Sequence, residues 1–198
     1  MTLDMRRLMA ADAEALRALR VEAFTAHPRE FRSTPEDEAA RPLAELAANL
    51  ARDQVLGLFD GETLVGVAGL AIEPRAKLAH KAMIWGVYVR GAYRGQGGAE
   101  RLLQALLAEA QGKVEAVHLT ASDGNGPALR LYTRLGFVLW ATEPRALKLA
   151  DGTYVDELAM VRRCSSDEAS EAALGRIKGH QKPLTSGFKF DQEEANSR

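Results

Sequence analysis

Cysteine is almost missing from this chain: Cys164 is the only one among 198 residues. A single thiol cannot form an internal disulfide, and it excludes the zinc sites that need several cysteines. The four histidines are scattered and form no His-x-x-x-His pair, so ligand spacing for a metal is also missing. We therefore predict a protein of a reducing compartment, the cytoplasm, that holds no metal.

Excess charge and long apolar runs are missing as well. The chain has 26 basic and 27 acidic residues, a net charge of -1, which leaves no basic footprint for a nucleic acid. No stretch approaches the roughly 18 apolar residues of a membrane span. The first 20 residues mix acids with arginines and lack the apolar centre of a signal peptide. We expect neither a nucleic-acid nor a membrane partner, and a small molecule is the default ligand.

The hydrophobic content of 46% is enough for a real core, and one domain is expected. From Cys164 onward the residues are mostly polar and rich in Ser, Glu and Lys. We predict a domain at 1–163 and a polar C-terminal tail at 164–198 that is disordered or docked.

Alternation of strand and helix patterns indicates a mixed α/β sheet. A strand at Asp4–Leu8 precedes an amphipathic helix, and a second helix is predicted from Ser33 to about Arg52. Two apolar runs then meet at Asp60-Gly61, a pair typical of a tight hairpin. Two strand-then-helix units follow, and a last pair of strands flanks a second Asp-Gly turn. Such an order predicts one sheet with helices on both faces.

The stretch "VRGAYRGQGGAERLL", Val89–Leu103, passes from a strand through a glycine turn into a helix. The start of a helix exposes unpaired N–H groups, and Gly95, Gly97 and Gly98 leave room for an anion to approach them. An ordinary glycine turn is the alternative. Gly98 precedes Ala99 and not Lys, which excludes a Walker A loop. A Rossmann fingerprint needs Gly or Ala at its third position, where Glu100 would repel a pyrophosphate, so this motif is excluded as well.

The segment "RGQGGA", Arg94–Ala99, fits the Gln/Arg-x-x-Gly-x-Gly/Ala signature of the GCN5-related N-acetyltransferase (GNAT) superfamily, which the chain resembles. A second motif agrees with it in "NGPALRLYTRLGF", which supplies Asn125, Tyr132, Gly136 and Phe137 in the family's order. The resemblance covers roughly residues 4–163 and does not extend to the tail.

The resemblance implies a GNAT-like fold, a central mixed and splayed sheet of about six to seven strands with about four helices. Acetyl-coenzyme A would enter between the strands Ala82–Val89 and Val114–Ala121, and a bulge at Gly86 would begin the splay. By the same resemblance the residues that bind this co-substrate are Val87, Tyr88, Val89, Arg94, Gly95, Gln96, Gly97, Gly98, Ala99 and Asn125.

The resemblance makes Tyr132 the acid that protonates the departing thiolate. Each of these residues also has a purely structural interpretation. Tyr132 could only pack its helix on the sheet, Asn125 could only cap a helix, and Arg94 could be a solvated surface arginine.

The sequence does not single out the base that must deprotonate the amine. His80, Glu73 and Asp156 are the nearest side chains to the first splayed strand, and a chain of waters is an equal alternative. His118 is expected to be structural. The segment Phe24–Glu38 and the turn near Asp151 would flank the acceptor entrance in relatives.

The resemblance thus predicts transfer of an acetyl group from acetyl-coenzyme A directly to a primary amine of a small molecule or peptide. A coenzyme A-binding regulatory module without turnover is the alternative function. A homodimer is left open.

Overall fold

The computed structural model describes residues 3–164. The predicted tail therefore lies, apart from Cys164, outside the described residues. Along the chain the elements are β1 (Asp4–Arg7), α1 (Ala13–Ala26), α2 (Pro35–Ala40), α3 (Leu43–Arg52), β2 (Gln54–Asp60), β3 (Thr63–Ile72), β4 (Lys81–Val89), α4 (Gly98–Ala110), β5 (Ala116–Ser122), α5 (Gly126–Arg134), β6 (Val138–Lys148) and β7 (Tyr154–Arg163).

The strands form one mixed sheet in the order β1-β2-β3-β4-β5-β7-β6. Every neighbouring pair is antiparallel except β4 and β5, which run parallel. The hairpin between β2 and β3 turns at Asp60-Gly61, where Gly61 has a φ of 57°. This confirms the predicted mixed sheet, with seven strands described.

The single helix predicted from Ser33 to Arg52 is wrong, because the structure has two helices there. Thr34 caps α2: its hydroxyl accepts the Asp37 N–H at 3.1 Å and the Asp37 carboxylate accepts the Thr34 N–H at 3.0 Å. Pro42 forces Arg41 into an extended conformation, with a ψ of 129°, and ends α2. Five α-helices are therefore described where about four were expected.

Two apolar cores hold the helices on opposite faces of the sheet. On one face Leu102, Leu103 and Leu106 of α4 pack with Phe137, which follows α5. On the other face α1 and α3 cover β2 and β3. The helices on both faces agree with the prediction. Between these two layers of helices, strand pairing changes in the middle of the sheet.

Pairing between β4 and β5 ends after three residue pairs, the last of which is Met83 with His118. Just beyond this point Gly86 has a φ of 64°, and the register between β3 and β4 shifts between Val67 and Gly69. A left-handed residue and a slipped register are the marks of a bulge. The predicted bulge at Gly86 is confirmed, and it begins the splay.

Replacing Leu103 with Ala should lower the free energy of unfolding by about 2 to 5 kcal/mol, because Leu103 is fully buried and its loss leaves a cavity. Leu139→Ala is the matched control: this leucine is 44% exposed and should cost about 1 kcal/mol or less. Urea denaturation of both variants measures the difference. Equal losses would contradict the position given to α4.

Candidate active site

Beyond Met83 the parted strands β4 and β5 open a cleft of about 1110 Å³. Its walls come from the loop after α1, the second half of β4, the glycine turn before α4, the end of β5 and the first turns of α5. The backbone groups of β4 that would continue the parallel ladder face this space. An extended ligand could pair with them as an added strand does.

The structure brings almost all of the predicted site residues to this cleft. Gln96 is exposed and its side chain is not part of the wall. The predicted residues that line the wall are Val87, Tyr88, Val89, Arg94, Gly95, Gly97, Gly98, Ala99, Asn125 and Tyr132.

The glycine turn at the start of α4 leaves space for an anion. Gly95 and Gly97 have φ values of 76° and 75°, and a Cβ at either position would meet nothing within 4 Å. Gly98 has a packing role instead, because its Cβ would lie 2.8 Å from Leu58. Glu100 is bonded to Arg134 at 3.0 Å, which offsets its negative charge beside the turn. The turn and the N–H groups of this helix start therefore fit a diphosphate.

Arg94 is exposed, and its side chain makes three contacts at the mouth of the cleft. Its Nε donates to the Val89 carbonyl at 2.8 Å, and its Nη2 lies 2.8 Å from His27 Nε2. Its guanidinium also stacks over the Tyr88 ring, 5.6 Å from the centroid. Arg94 thus braces the end of β4 at the mouth of the cleft, and its contact with phosphate stays a prediction.

Tyr132 and Asn125 line the cleft from α5. Tyr132 is only 6% exposed and packs edge-on against Phe137, with ring centroids 6.1 Å apart. Burial raises the pKa of Tyr132 to about 12, so its hydroxyl keeps its proton at neutral pH. Asn125 caps α5, since its Oδ1 accepts the Ala128 N–H at 3.3 Å. Asn125 also lines the cleft, so its contact with the co-substrate stays a prediction beside its capping role.

The three candidate bases, His80, Glu73 and Asp156, lie outside the described wall of the cleft. The carbonyl of His80 accepts N–H groups at the start of β5, at the other end of β4. Glu73 pairs with Arg75, which lowers the pKa of Glu73 to about 2. The Asp156 carboxylate accepts the Arg145 N–H at 2.7 Å. These residues lie away from the cleft in space, and their spacing along the chain does not predict this.

Sequence reasoning missed a group of charged residues at the end of the cleft beside α1 and α2. Arg20 binds Glu38 through Nε at 2.6 Å and Nη2 at 3.0 Å, and both side chains are largely buried. The Arg20 guanidinium also stacks on Phe24 and Trp85. Its Nη1 lies 3.2 Å from where a Gly86 side chain would begin. This ion pair therefore supports β4 at the bulge.

Side-chain hydrogen bonds connect the loop between α1 and α2 to β5 and β7, on the far side of the split. Ser122, the last residue of β5, donates its hydroxyl to the Arg29 carbonyl. Arg32 of the same loop binds the carboxylate of Glu157 on β7. Glu157 directly follows Asp156, and successive side chains of a strand point to opposite faces of the sheet. Naming the candidates of both faces would therefore have included Glu157.

Comparison with known proteins gives the family. Residues 13–137 match the Acetyltransferase (GNAT) family. The L-amino acid N-acetyltransferase AaaT of Escherichia coli is 27% identical over 111 residues, which are 55% of this chain and 67% of the relative. The mycothiol acetyltransferase of Brachybacterium faecium is 33% identical over 130 residues, 64% of this chain and only 38% of that relative's length.

A solved structure agrees with this match. The structure of yncA from Salmonella typhimurium with its cofactor acetyl-CoA superposes with a TM-score of 0.72 at 21% identity, covering 84% of this chain and 96% of that one. The chain belongs to the GNAT family of acetyltransferases. The predicted family, fold and enzyme class, an acetyl-coenzyme A-dependent acetyltransferase, are confirmed.

Among the helices within residues 3–164, none is both long and apolar enough to cross a membrane. In the same part of the chain, no group of three or more His, Cys, Asp or Glu side chains is placed to hold a metal ion.

Replacing Glu38 with Gln should lower the free energy of unfolding by about 3 kcal/mol, because it leaves the largely buried Arg20 without a counter-ion. Glu36→Gln on the same helix is the control, since Glu36 is exposed and should cost less than about 0.5 kcal/mol. Urea denaturation reports both values. A Glu38→Gln variant as stable as the control would contradict the buried pair.

Proposed function

We propose that this chain transfers the acetyl group of acetyl-coenzyme A directly to a primary amine of a small molecule or peptide. The observation that carries the proposal is the split between β4 and β5, with a glycine-lined helix start at its mouth and the Tyr132 hydroxyl on its wall. Family membership supports the acetyl donor.

On the donor side, the N–H groups of residues 96–99 would bind the diphosphate at the start of α4. Main-chain groups of Val87–Val89 would bond the extended pantetheine arm along the edge that β4 presents to the split. Bound acetyl-coenzyme A supplies the thioester that the amine attacks. The relative solved with acetyl-CoA supports this assignment.

On the reacting side, a neutral amine attacks the thioester carbonyl, and the oxygen gains negative charge. N–H groups of Val87 or Val89 are the nearest predicted donors to that charge. The departing sulfur needs a proton, and Tyr132 holds one because the pKa of its hydroxyl is raised to about 12. Tyr132 is therefore the proposed acid.

The acceptor enters at the other end of the cleft, beside the loop after α1. Aromatic side chains of Phe24, Phe31 and Trp85 border this end together with Arg20 and Glu157. A relative whose name gives L-amino acids as its N-acetylation substrates supports an amine as acceptor.

The test is release of free thiol from acetyl-coenzyme A in the presence of a panel of amino acids, polyamines, aryl-alkylamines and short peptides. Turnover with at least one amine is expected. Calorimetric binding of coenzyme A with no turnover across the whole panel would favour the regulatory module. Calorimetry that detects no binding would overturn the donor site itself.

Gly97→Val should weaken coenzyme A binding at least about tenfold, because a branched side chain fills the space beside the helix start and disfavours a φ of 75°. Gly112→Val is the matched control, since Gly112 has the same φ of 75° and the same open surroundings away from the cleft. Both variants should lose similar stability. Calorimetry showing equal affinities would contradict the proposed diphosphate site.

Tyr132→Phe should reduce kcat about 100-fold or more while coenzyme A affinity stays within about twofold, because it removes the proton donor and keeps the ring. Tyr154→Phe is the control, as Tyr154 is 40% exposed and lies outside the cleft wall. Steady-state kinetics with the best acceptor of the panel measures the effect. Unchanged turnover in Tyr132→Phe would leave this tyrosine with a packing role only.

A further inference from the structure

Glu157 is a buried carboxylate on the wall of the cleft. It lies on β7, where the backbone pairs it with Ser122 of β5 on one side and Glu143 of β6 on the other. Only 4% of the residue is exposed. A carboxylate is seldom buried without a partner or a use, because removing its charge from water costs several kcal/mol.

The partner of Glu157 is Arg32, an exposed residue of the loop between α1 and α2. Arg32 Nε donates to the two carboxylate oxygens at 2.9 and 3.2 Å, and its Nη2 also bonds Glu157. The same Nη2 lies 3.7 Å from Glu143. The Arg32 side chain is 59% exposed and the Glu157 side chain 5%. The cation can therefore return to water at little cost, whereas the anion stays in the cleft and needs another cation.

We propose that Glu157 binds the ammonium group of the acceptor in place of Arg32 and then accepts the proton that the amine must lose before it attacks. This inference rests on the proposed N-acetyl transfer. It makes Glu157 the base of the reaction and Arg32 the counter-ion of the resting enzyme.

Position distinguishes Glu157 from the other acids on the described cleft wall, Glu30 and Glu100. Glu100 is bonded to Arg134 beside the glycine turn, at the proposed diphosphate site. Glu30 belongs to the loop and its side chain is 29% exposed. Glu157 alone combines burial with a place at the end of the split, across from the end of β5.

Proton transfer from the ammonium of the acceptor to a carboxylate is unfavourable in water, and it is less unfavourable at the buried position of Glu157. An ammonium of pKa near 10 and a carboxyl near 4 differ by about six pKa units, or about 8 kcal/mol. Burial disfavours both charged forms, and the transfer removes both charges at once. The charged groups that face Glu157 are Arg32 and Glu143, while β5 presents the uncharged Ser122.

The ammonium gives one proton to Glu157, the neutral nitrogen forms a bond to the thioester carbon, and the carbon–sulfur bond breaks. The thiolate takes a proton from Tyr132, and the second nitrogen proton replaces it. Glu157 passes its proton to solvent, so the products are the amide, free coenzyme A and one proton.

The test compares Glu157→Gln with Asp156→Asn, its neighbour on the opposite face of β7. Two acceptors are used: the best alkylamine of the panel, and its analogue fluorinated beside the nitrogen, whose ammonium has already lost its proton at neutral pH. In Glu157→Gln we expect kcat/KM to fall about 100-fold or more for the alkylamine and far less for the fluorinated analogue. Asp156→Asn should match the wild type with both, and coenzyme A affinity should be unchanged in all three proteins.

The pH profile gives a second readout. For the alkylamine, wild-type kcat/KM should carry an acidic limb set by the Glu157 carboxyl, and Glu157→Gln should lose that limb.

Each other outcome is decisive. Equal losses with both amines in Glu157→Gln would mean that the residue only holds the loop, and would overturn the proposal. Wild-type activity in this variant would do the same. If the wild type binds coenzyme A yet acetylates no amine, the proposed function itself fails and this inference with it.

Discussion

The interruption of the ladder between β4 and β5 is the constraint on which the rest of the structure depends. Three parallel residue pairs hold the strands together at one end, and at Gly86 the backbone turns away. Backbone N–H and C=O groups that a continuous sheet would pair are left facing a cavity, and such groups need partners. A ligand with an extended, hydrogen-bonding arm satisfies them. The cleft is thus an interruption of the sheet that the flanking helices stabilise from both sides.

Opposite charges surround this interruption in pairs. Glu38 is matched by Arg20, Glu157 by Arg32 and Glu100 by Arg134, each within hydrogen-bonding distance. The pairs differ in burial, and this difference separates their roles. Arg20 and Glu38 are both largely buried and hold the backbone at the bulge. Arg32 is mostly exposed while Glu157 is not, so in this pair a cation that can return to water holds a buried anion.

Much of the donor half of the site could be predicted from sequence, because it is local. The glycine turn and helix start occupy consecutive residues, and Asn125 and Tyr132 lie on one short helix. The acceptor half could not be predicted in this way. The sequence does not show which acid of β7 faces the cleft, because Glu157 and not Asp156 reaches it through the pairing of β7 with β5. The helix boundary at Pro42 was missed although proline provided a signal, since apolar periodicity continued across it.

The contacts that form the two halves of the cleft also differ in the sequence separation of the residues they join. Arg94 reaches Val89 over five residues, whereas Ser122 meets Arg29 over 93 residues and Arg32 meets Glu157 over 125. Closing a longer loop costs more entropy, and here it also requires the last strand of the described sheet. During synthesis the donor half can therefore assemble early. The proposed acceptor end acquires its shape only after β7 has inserted between β5 and β6, so this end of the cleft is completed last.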